Sequence, residues 1–285
     1  MTTTAGWRLL RVLAIAFVVV WSLGPILIGV VTSFSSQAEV NAVPTVWIPH
    51  HLTTTAYHSL IGGSNGRAGG TVSEKGTYEH ALLNSTEVAL MATAAVLVVS
   101  TMASYAFGRL RFRLRRPLFF AILATMIVPI FVIVVALFQL MAQLHLIDSK
   151  LGLVLVFIAT LSPLATWLQY NHIRELPGEP EEAALIDGCR RWQAFLHVVL
   201  PQMGSGIAAL AAIVVLSVWG EFLIPLLLTS TMNAKPVTVL ITEYVGKYTT
   251  NYPILAAGGV LALLPPAVVA LVLNRRITGM LAGSN

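Results

Sequence analysis

Six apolar runs dominate this chain of 285 residues: Val12–Val31, Val88–Gly108, Leu118–Met141, Leu151–Tyr170, Gly204–Thr229 and Ile254–Leu273. Each has about the 20 residues that an α-helix needs to cross a hydrocarbon core roughly 30 Å thick. Lipid offers the backbone no hydrogen-bond partners, so runs of this length are expected as helices. The sequence therefore predicts an all-α integral membrane protein with six transmembrane helices. Composition agrees: 56% of residues are hydrophobic and 10% charged, against about 25% charged in soluble domains. The first run follows Arg8 and Arg11, as a secretory signal core would. It is longer than the roughly 7–15 residues of such a core, and Ser36-Gln37-Ala38 is a poor cleavage match set well past it, so an uncleaved span is expected.

Orientation follows from Lys and Arg. With the N-terminus inside, twelve of them fall on the inner side, five of these between Arg109 and Arg116, and five fall outside. Positively charged loops stay in the cytoplasm, so both termini are expected there, in a multi-pass membrane protein. The net charge of +5 is explained by these inner loops. No basic patch is interleaved with aromatics, so no nucleic-acid partner is expected. Five runs contain proline: Pro25, Pro129, Pro163, Pro225 and the pair Pro265-Pro266. Each is expected to kink its helix, which suits a bundle bent around a cavity better than a solid anchor.

Two charged residues border or enter the runs. Glu221 interrupts the fifth, where an ionisable group costs about 2.5–3.5 kcal/mol to insert and should face protein or water. Were the bundle to conduct a solute, Glu221 would be expected on that translocation path or in a subunit contact, the alternative being a structural hydrogen bond between helices. Trp219, Gly220 and Asn171 are grouped with it as possible path residues. Glu87, near an outer boundary, is expected to be a wetted interface residue.

Other short patterns carry little chemistry. The outer loop, residues 32–84, holds a Gly-rich insert, and Gly62-Gly63-Ser64-Asn65-Gly66 formally fits the GxSxG nucleophile elbow. That elbow needs a strand before it and a helix after it, and neither is expected here. His50 and His51 are adjacent rather than at the i, i+4 spacing of helical metal ligands, so no metal site is expected. Cys189 is the single cysteine, which excludes an intrachain disulfide and CxxC chemistry. Gly246-Lys247 lacks the earlier glycine of a phosphate loop.

The inner segment 172–203 is the most organised polar stretch. Pro177 and Pro180 set a helix start, and Glu181 and Glu182 fall in its first turn, where the helix dipole favours acids. Asp187-Gly188 should end it, since glycine accepts a left-handed turn conformation at little cost. Trp192, Phe195, Leu196, Val199 and Leu200 then recur at helical spacing as one apolar stripe, until Pro201 stops the second helix. This geometry admits two uses: an interfacial helix packed on headgroups, or a docking element for a soluble partner.

Glu182-Ala183-Ala184, three residues, Gly188, nine residues, Val198, one residue and Leu200-Pro201 resemble the EAA loop of ABC importer permeases, EAA-x3-G-x9-I-x-LP, with Val198 for Ile. Trp219-Gly220-Glu221-Phe222 resembles the W-N-E/D-F element of sugar-type permeases, Asn84-Ser85 their N-S start, and Arg275-Arg276-Ile277-Thr278-Gly279 their basic tail. Gly220 replaces the usual Asn, Pro180 a usual Leu and Cys189 a usual Ala. The likeness runs from the first span to the tail and is to the maltose-type, carbohydrate-importing subfamily.

The resemblance implies a type I ABC importer permease fold in a single transmembrane domain over 1–285. It implies coupling to an ATPase through Glu181, Glu182, Ala183, Ala184, Asp187, Gly188, Leu200 and Pro201. The implied partners are a second permease subunit in a heterodimer, two nucleotide-binding subunits, an extracytoplasmic substrate-binding protein and membrane lipid. ATP and Mg would be held by the nucleotide-binding subunits; the chain itself would bind no cofactor and perform no catalysis. A non-sugar solute such as a glycerol phosphate compound is the alternative cargo. A secondary transporter would instead show inverted repeats, and none is evident in the sequence. A third reading, an intramembrane hydrolase, rests on Ser64 alone. Ser64→Ala should leave solute uptake by whole cells unchanged; loss of uptake would revive the hydrolase.

Overall fold

The computed structural model describes residues 3–44, 46–61, 74–245 and 250–282. The GxSxG stretch at 62–66, Arg67 and Gly246-Lys247 lie outside them. The helices are α1 (Thr3–Ser33), α2 (Gln37–Val40), α3 (Thr55–Leu60), α4 (Glu74–Arg109), α5 (Arg115–Ala124) and α6 (Ile130–Gln143). They continue as α7 (Lys150–Glu175), α8 (Glu179–Ile186), α9 (Arg191–Gln202), α10 (Gly204–Gly220), α11 (Leu223–Leu228), α12 (Val237–Glu243) and α13 (Tyr252–Ala282). Among the described residues the only β pairing is a single bridge between Val245 and Thr250. The chain groups into two compact units, one of Met1–His80 with Leu240–Leu264 and one of Ala81–Val239 with Pro265–Asn285.

Among the described residues, four helical stretches are long and apolar enough to cross a membrane: Leu9–Ser33, Gly76–Arg109, Lys150–Glu175 and Tyr252–Val272. Two bent helix pairs bring the number to as many as six. The third expected span, 118–141, is one of these pairs: Arg115–Ile127 and Ile130–Gln143 meet at 100°. Pro129 caps α6 in an extended conformation (φ −62°, ψ 139°) and cannot donate a backbone hydrogen bond, so the helix turns there. The fifth expected span, 204–229, is also broken, because Glu221 and Phe222 separate α10 from α11. The 17 residues of α10 rise roughly 25 Å, short of a full hydrocarbon core. Other prolines leave their helices unbroken: Pro25, Pro163 and Pro265-Pro266 lie inside continuous helices. Finally, α4 starts at Glu74, well before the expected 88, so the C-terminal part of the predicted outer loop is helical.

In the first unit, side chains hold the connecting segments to the span ends. Gln37 Nε2 donates to the Thr250 carbonyl (2.8 Å), and its Oε1 accepts from the Tyr252 N–H (3.1 Å). A capping box of Ser36 and Glu39 starts α2. Glu39 also accepts the backbone N–H of exposed His50 (3.0 Å). Tyr78 on α4 donates its hydroxyl to the Gly258 carbonyl on α13 (2.8 Å).

In the second unit small residues set helix spacing, as membrane packing favours. A Cβ on Gly206 of α10 would lie 2.2 Å from His172 Cδ2 of α7, and one on Gly108 of α4 would lie 2.6 Å from Ile173 Cγ2. Phe107, Phe119 and Tyr170 then tie α4, α5 and α7 together, with ring centroids 5.4 Å and 4.4 Å apart.

At the Lys150 end of α7, Asp148 adopts a left-handed backbone (φ 55°) and accepts the N–H groups of Ser230 and Thr231, each at 2.9 Å, and the Thr231 hydroxyl. Its own N–H donates to the Leu228 carbonyl (2.7 Å). Lys150 pairs with Glu87 at 2.5 Å, so Glu87 is bound to a cation as well as wetted. An exposed pair of this kind contributes only about 0–1 kcal/mol.

Partial burial pushes the Asp148 carboxyl up, but the hydrogen bonds from Thr231 and Ser230 and the charge of Lys235 outweigh it and hold the group below its ordinary range. A depressed carboxyl stabilises the fold above its unfolded-state pKa, and that stability is lost as pH falls through the folded value. Asp148→Asn should therefore lower the thermal unfolding midpoint in detergent at neutral pH, and the gap from the parent should close in acid. A gap that widened in acid would refute this role.

Candidate functional site

The segment 172–203 folds as the sequence indicates at its first turn. Gly178 precedes α8, Pro180 lies at its start, and Glu179, Glu181 and Glu182 fill its first turn. The helix ends in two backbone bonds, Gly188 N–H to the Leu185 carbonyl (3.2 Å) and Cys189 N–H to the Ala184 carbonyl (3.0 Å). This is a Schellman termination, and it requires a left-handed residue where Gly188 stands, at φ +89°. Open space surrounds the position a Cβ would take, so glycine is needed for backbone angle and not for room.

The two faces of α8 differ. Glu179, Glu182, Ala183 and Ile186, spaced i, i+3, i+4 and i+7, are exposed, and Ile186 is 85% accessible. Asp187 is exposed and Ala184 half-buried. Glu181 points inward and is only 6% accessible. Tyr105 donates its hydroxyl to Glu181 Oε1 (2.7 Å), and Arg109 Nε lies 3.5 Å from Oε2. The latter is a charge contact without hydrogen-bond alignment, since Arg109 Nε makes no hydrogen bond. Arg109 Nη2 donates instead to the Leu176 carbonyl (2.7 Å). Glu181 and Glu182, both named for coupling, thus stand on opposite faces of α8. Tyr105 and Arg109 escaped the sequence reading, and their i, i+4 spacing on an apolar helix that ends in arginine was the available signal.

The second helix departs from expectation. Only part of its stripe is covered by the protein: Trp192 and Leu196 are 56% and 43% exposed, while Ala194 and Val199 are buried. A π turn over Phe195–Val199 shifts the register, and the Leu200 N–H bonds back to the Phe195 carbonyl. The ring of Pro201 crowds the carbonyl four residues earlier and has no N–H to offer it, and the wider turn relieves this. The helix runs one residue past Pro201 to Gln202 and bends by 73° into α10. Leu200 is half-buried and Pro201 exposed. Tyr105, Ile173, Val199 and Met203 form the apolar core beneath the bend.

The possible path residues do not converge. Trp219 is buried beside a small apolar cavity lined also by Leu153 and Phe157 of α7. Asn171 is exposed on the same helix, at least roughly 21 Å further along its axis. Glu221 Oε1 accepts the N–H groups of Leu223 (3.0 Å) and Ile224 (3.4 Å), capping α11 where the span breaks. Its role in this structure is a local backbone cap, and the adjoining Gly220 is exposed with no atom near its would-be Cβ.

Asn84-Ser85 and Glu221 instead meet on one segment. Asn84 Nδ2 donates to the Met232 carbonyl (2.8 Å) and the Lys235 carbonyl (3.1 Å). Ser85 Oγ accepts the Val237 N–H (2.8 Å), and the Glu221 carbonyl accepts from Thr238 Oγ1 (3.2 Å).

A sequence profile described as "Binding-protein-dependent transport system inner membrane component" matches residues 100–279, and the chain belongs to that family. It is 28% identical over 275 residues to the sulfoquinovosyl glycerol transport system permease protein SmoH of Agrobacterium fabrum, covering 96% of this chain and 92% of that protein. It is 30% identical over 269 residues to the diacetylchitobiose uptake system permease protein NgcG of Streptomyces coelicolor, covering 93% and 85%. The fold is also that of a chain in a bacterial ABC transporter involved in the import of the acidic polysaccharide alginate. The TM-score is 0.81 at 18% identity, over 96% of this chain and 98% of that one. The resemblance read from the EAA loop is borne out, and the chain is a transport subunit of the cell membrane.

Glu221→Ala removes a carboxylate acceptor at the start of α11 and should destabilise the protein by about 0.5–2 kcal/mol. Glu221→Gln keeps an acceptor and should lose less. Thermal unfolding in detergent reads both, and equal losses would deny the capping role.

Proposed function

We propose that this chain carries a sugar or sugar-like solute inward across the bacterial cytoplasmic membrane, as one permease of an ATP-driven importer. The observation that carries the coupling part is the exposed face of α8, with Glu182, Ala183 and Ile186 outward and the turn at Gly188 behind it. On this reading α8 docks in a cleft of a cytoplasmic nucleotide-binding subunit, two of which bind ATP and Mg and hydrolyse ATP. Closure of that pair moves α8, and α9 with its bend passes the motion to α10. Shape and apolar burial dominate the docking, because exposed ion pairs add only about 0–1 kcal/mol.

The remaining assembly follows the same reading. The chain is one transmembrane domain with six spans, two of them broken, and both termini in the cytoplasm. Twelve Lys and Arg then lie inside against five outside. A second, different permease subunit completes the pathway, and an extracytoplasmic binding protein delivers the solute. A carbohydrate cargo is supported by relatives named for sulfoquinovosyl glycerol and diacetylchitobiose transport. The glycerol part of the first relative's name supports glycosylated glycerols as cargo, and a glycerol phosphate compound is the alternative to be tested beside them.

Glu182→Lys should reduce retention of the nucleotide-binding subunits in a detergent pull-down, while Gly188→Trp should leave the permease inserted and abolish uptake. Normal retention and normal uptake in these variants would sink the docking assignment. The cargo is read by purifying the complex with its binding protein and screening sugars and glycerol derivatives for stimulated ATP hydrolysis.

A further inference from the structure

Glu181 stands one residue before the exposed Glu182 and does the opposite thing with its carboxylate. It is 6% accessible, and its partner Tyr105 is 7% accessible. One oxygen accepts the Tyr105 hydroxyl at 2.7 Å and the other faces Arg109 Nε at 3.5 Å. The same guanidinium reaches the Leu176 carbonyl at the end of α7 (2.7 Å), and its Nη1 would be 3.2 Å from a Cβ on Gly178. The Tyr105 ring packs on Phe195 of α9, with centroids 4.6 Å apart. Two residues of α4 thus contact the end of α7, the start of α8 and the middle of α9.

We infer that Tyr105, Arg109 and Glu181 form a clamp that makes α8 and the Arg109 end of α4 move as one body while the ATPase subunits open and close. This rests on the docking reading of α8. Its physical basis is the asymmetry of buried polar groups. A buried carboxylate that loses its donor and its counter-charge together is left uncompensated, which costs far more than breaking an exposed pair. Sliding α8 along α4 without admitting water would do this to Glu181, whereas shifting a partner on the outward face strands no buried group. Thrust on α8 therefore enters α4 directly, in addition to the route through α9 and the bend at Met203. Glu181 is a positioning residue, turned away from the partner, and Glu182 is the one offered to it.

The test uses the complete transporter complex in lipid nanodiscs. One spin label goes on native Cys189, which is exposed just past α8, and one on Met102→Cys, at an exposed position of α4. The label–label distance is measured without nucleotide and with ATP and vanadate, which needs no knowledge of the solute. The parent should give one narrow distance that stays the same in both states. Tyr105→Phe, which keeps the ring on Phe195, and Glu181→Ala should broaden it and make it shift with nucleotide. Glu181→Gln, which keeps an acceptor for Tyr105, should keep it narrow. A parent distance that moves between the states, or an unchanged distance in both Tyr105→Phe and Glu181→Ala, overturns the clamp. Retention of the ATPase subunits is scored separately on unlabelled parent and Glu182→Lys, so failure of the docking reading is recognised independently.

Discussion

In hydrocarbon every backbone N–H and C=O must find its partner inside the protein, and this chain is shaped by how it meets that demand where its helices stop. At the break before α11 the Glu221 carboxylate takes two orphaned N–H groups. At the start of α12 the Ser85 hydroxyl takes another. Near the Lys150 end of α7, Asp148 takes two more and returns its own to Leu228. Residues that look from sequence like binding groups are here the means by which spans are interrupted without leaving polar atoms stranded.

The same economy separates the two glutamates of α8. A helix that lies against the bundle on one side and faces solvent on the other must satisfy an inward carboxylate internally, and Tyr105 and Arg109 do so. The outward residues have no such obligation, which leaves them available for a partner. Gly188 lets both conditions hold, because its left-handed backbone closes α8 and redirects the chain into α9 within three residues.

Much of this was legible beforehand. The apolar runs marked the spans, and the Pro180 start and Gly188 turn of α8 stand where residue type alone put them, since a fixed φ and a missing Cβ act locally. What could not be read depended on neighbours. Proline marked a bend at Pro129 but not its size of 100°, hydropathy is blind to the break after Glu221, and Pro163 and Pro25 broke nothing. The inward or outward sense of Glu181 and Glu182 needed the position of α4, and Asn171 and Trp219 are held apart by the length of α7.

The π turn over Phe195–Val199 has a further geometric meaning. Such a turn is an α-helix carrying one surplus residue, and each residue advances the azimuth by about 100°. The N-terminal portion of α9 is therefore out of phase with its C-terminal portion by that angle. The phase slip is what presents Trp192 and Leu196 to the surroundings while Val199 stays on the core. A segment with one regular stripe has been divided into two sectors, one that grips the bundle and one that looks away from it.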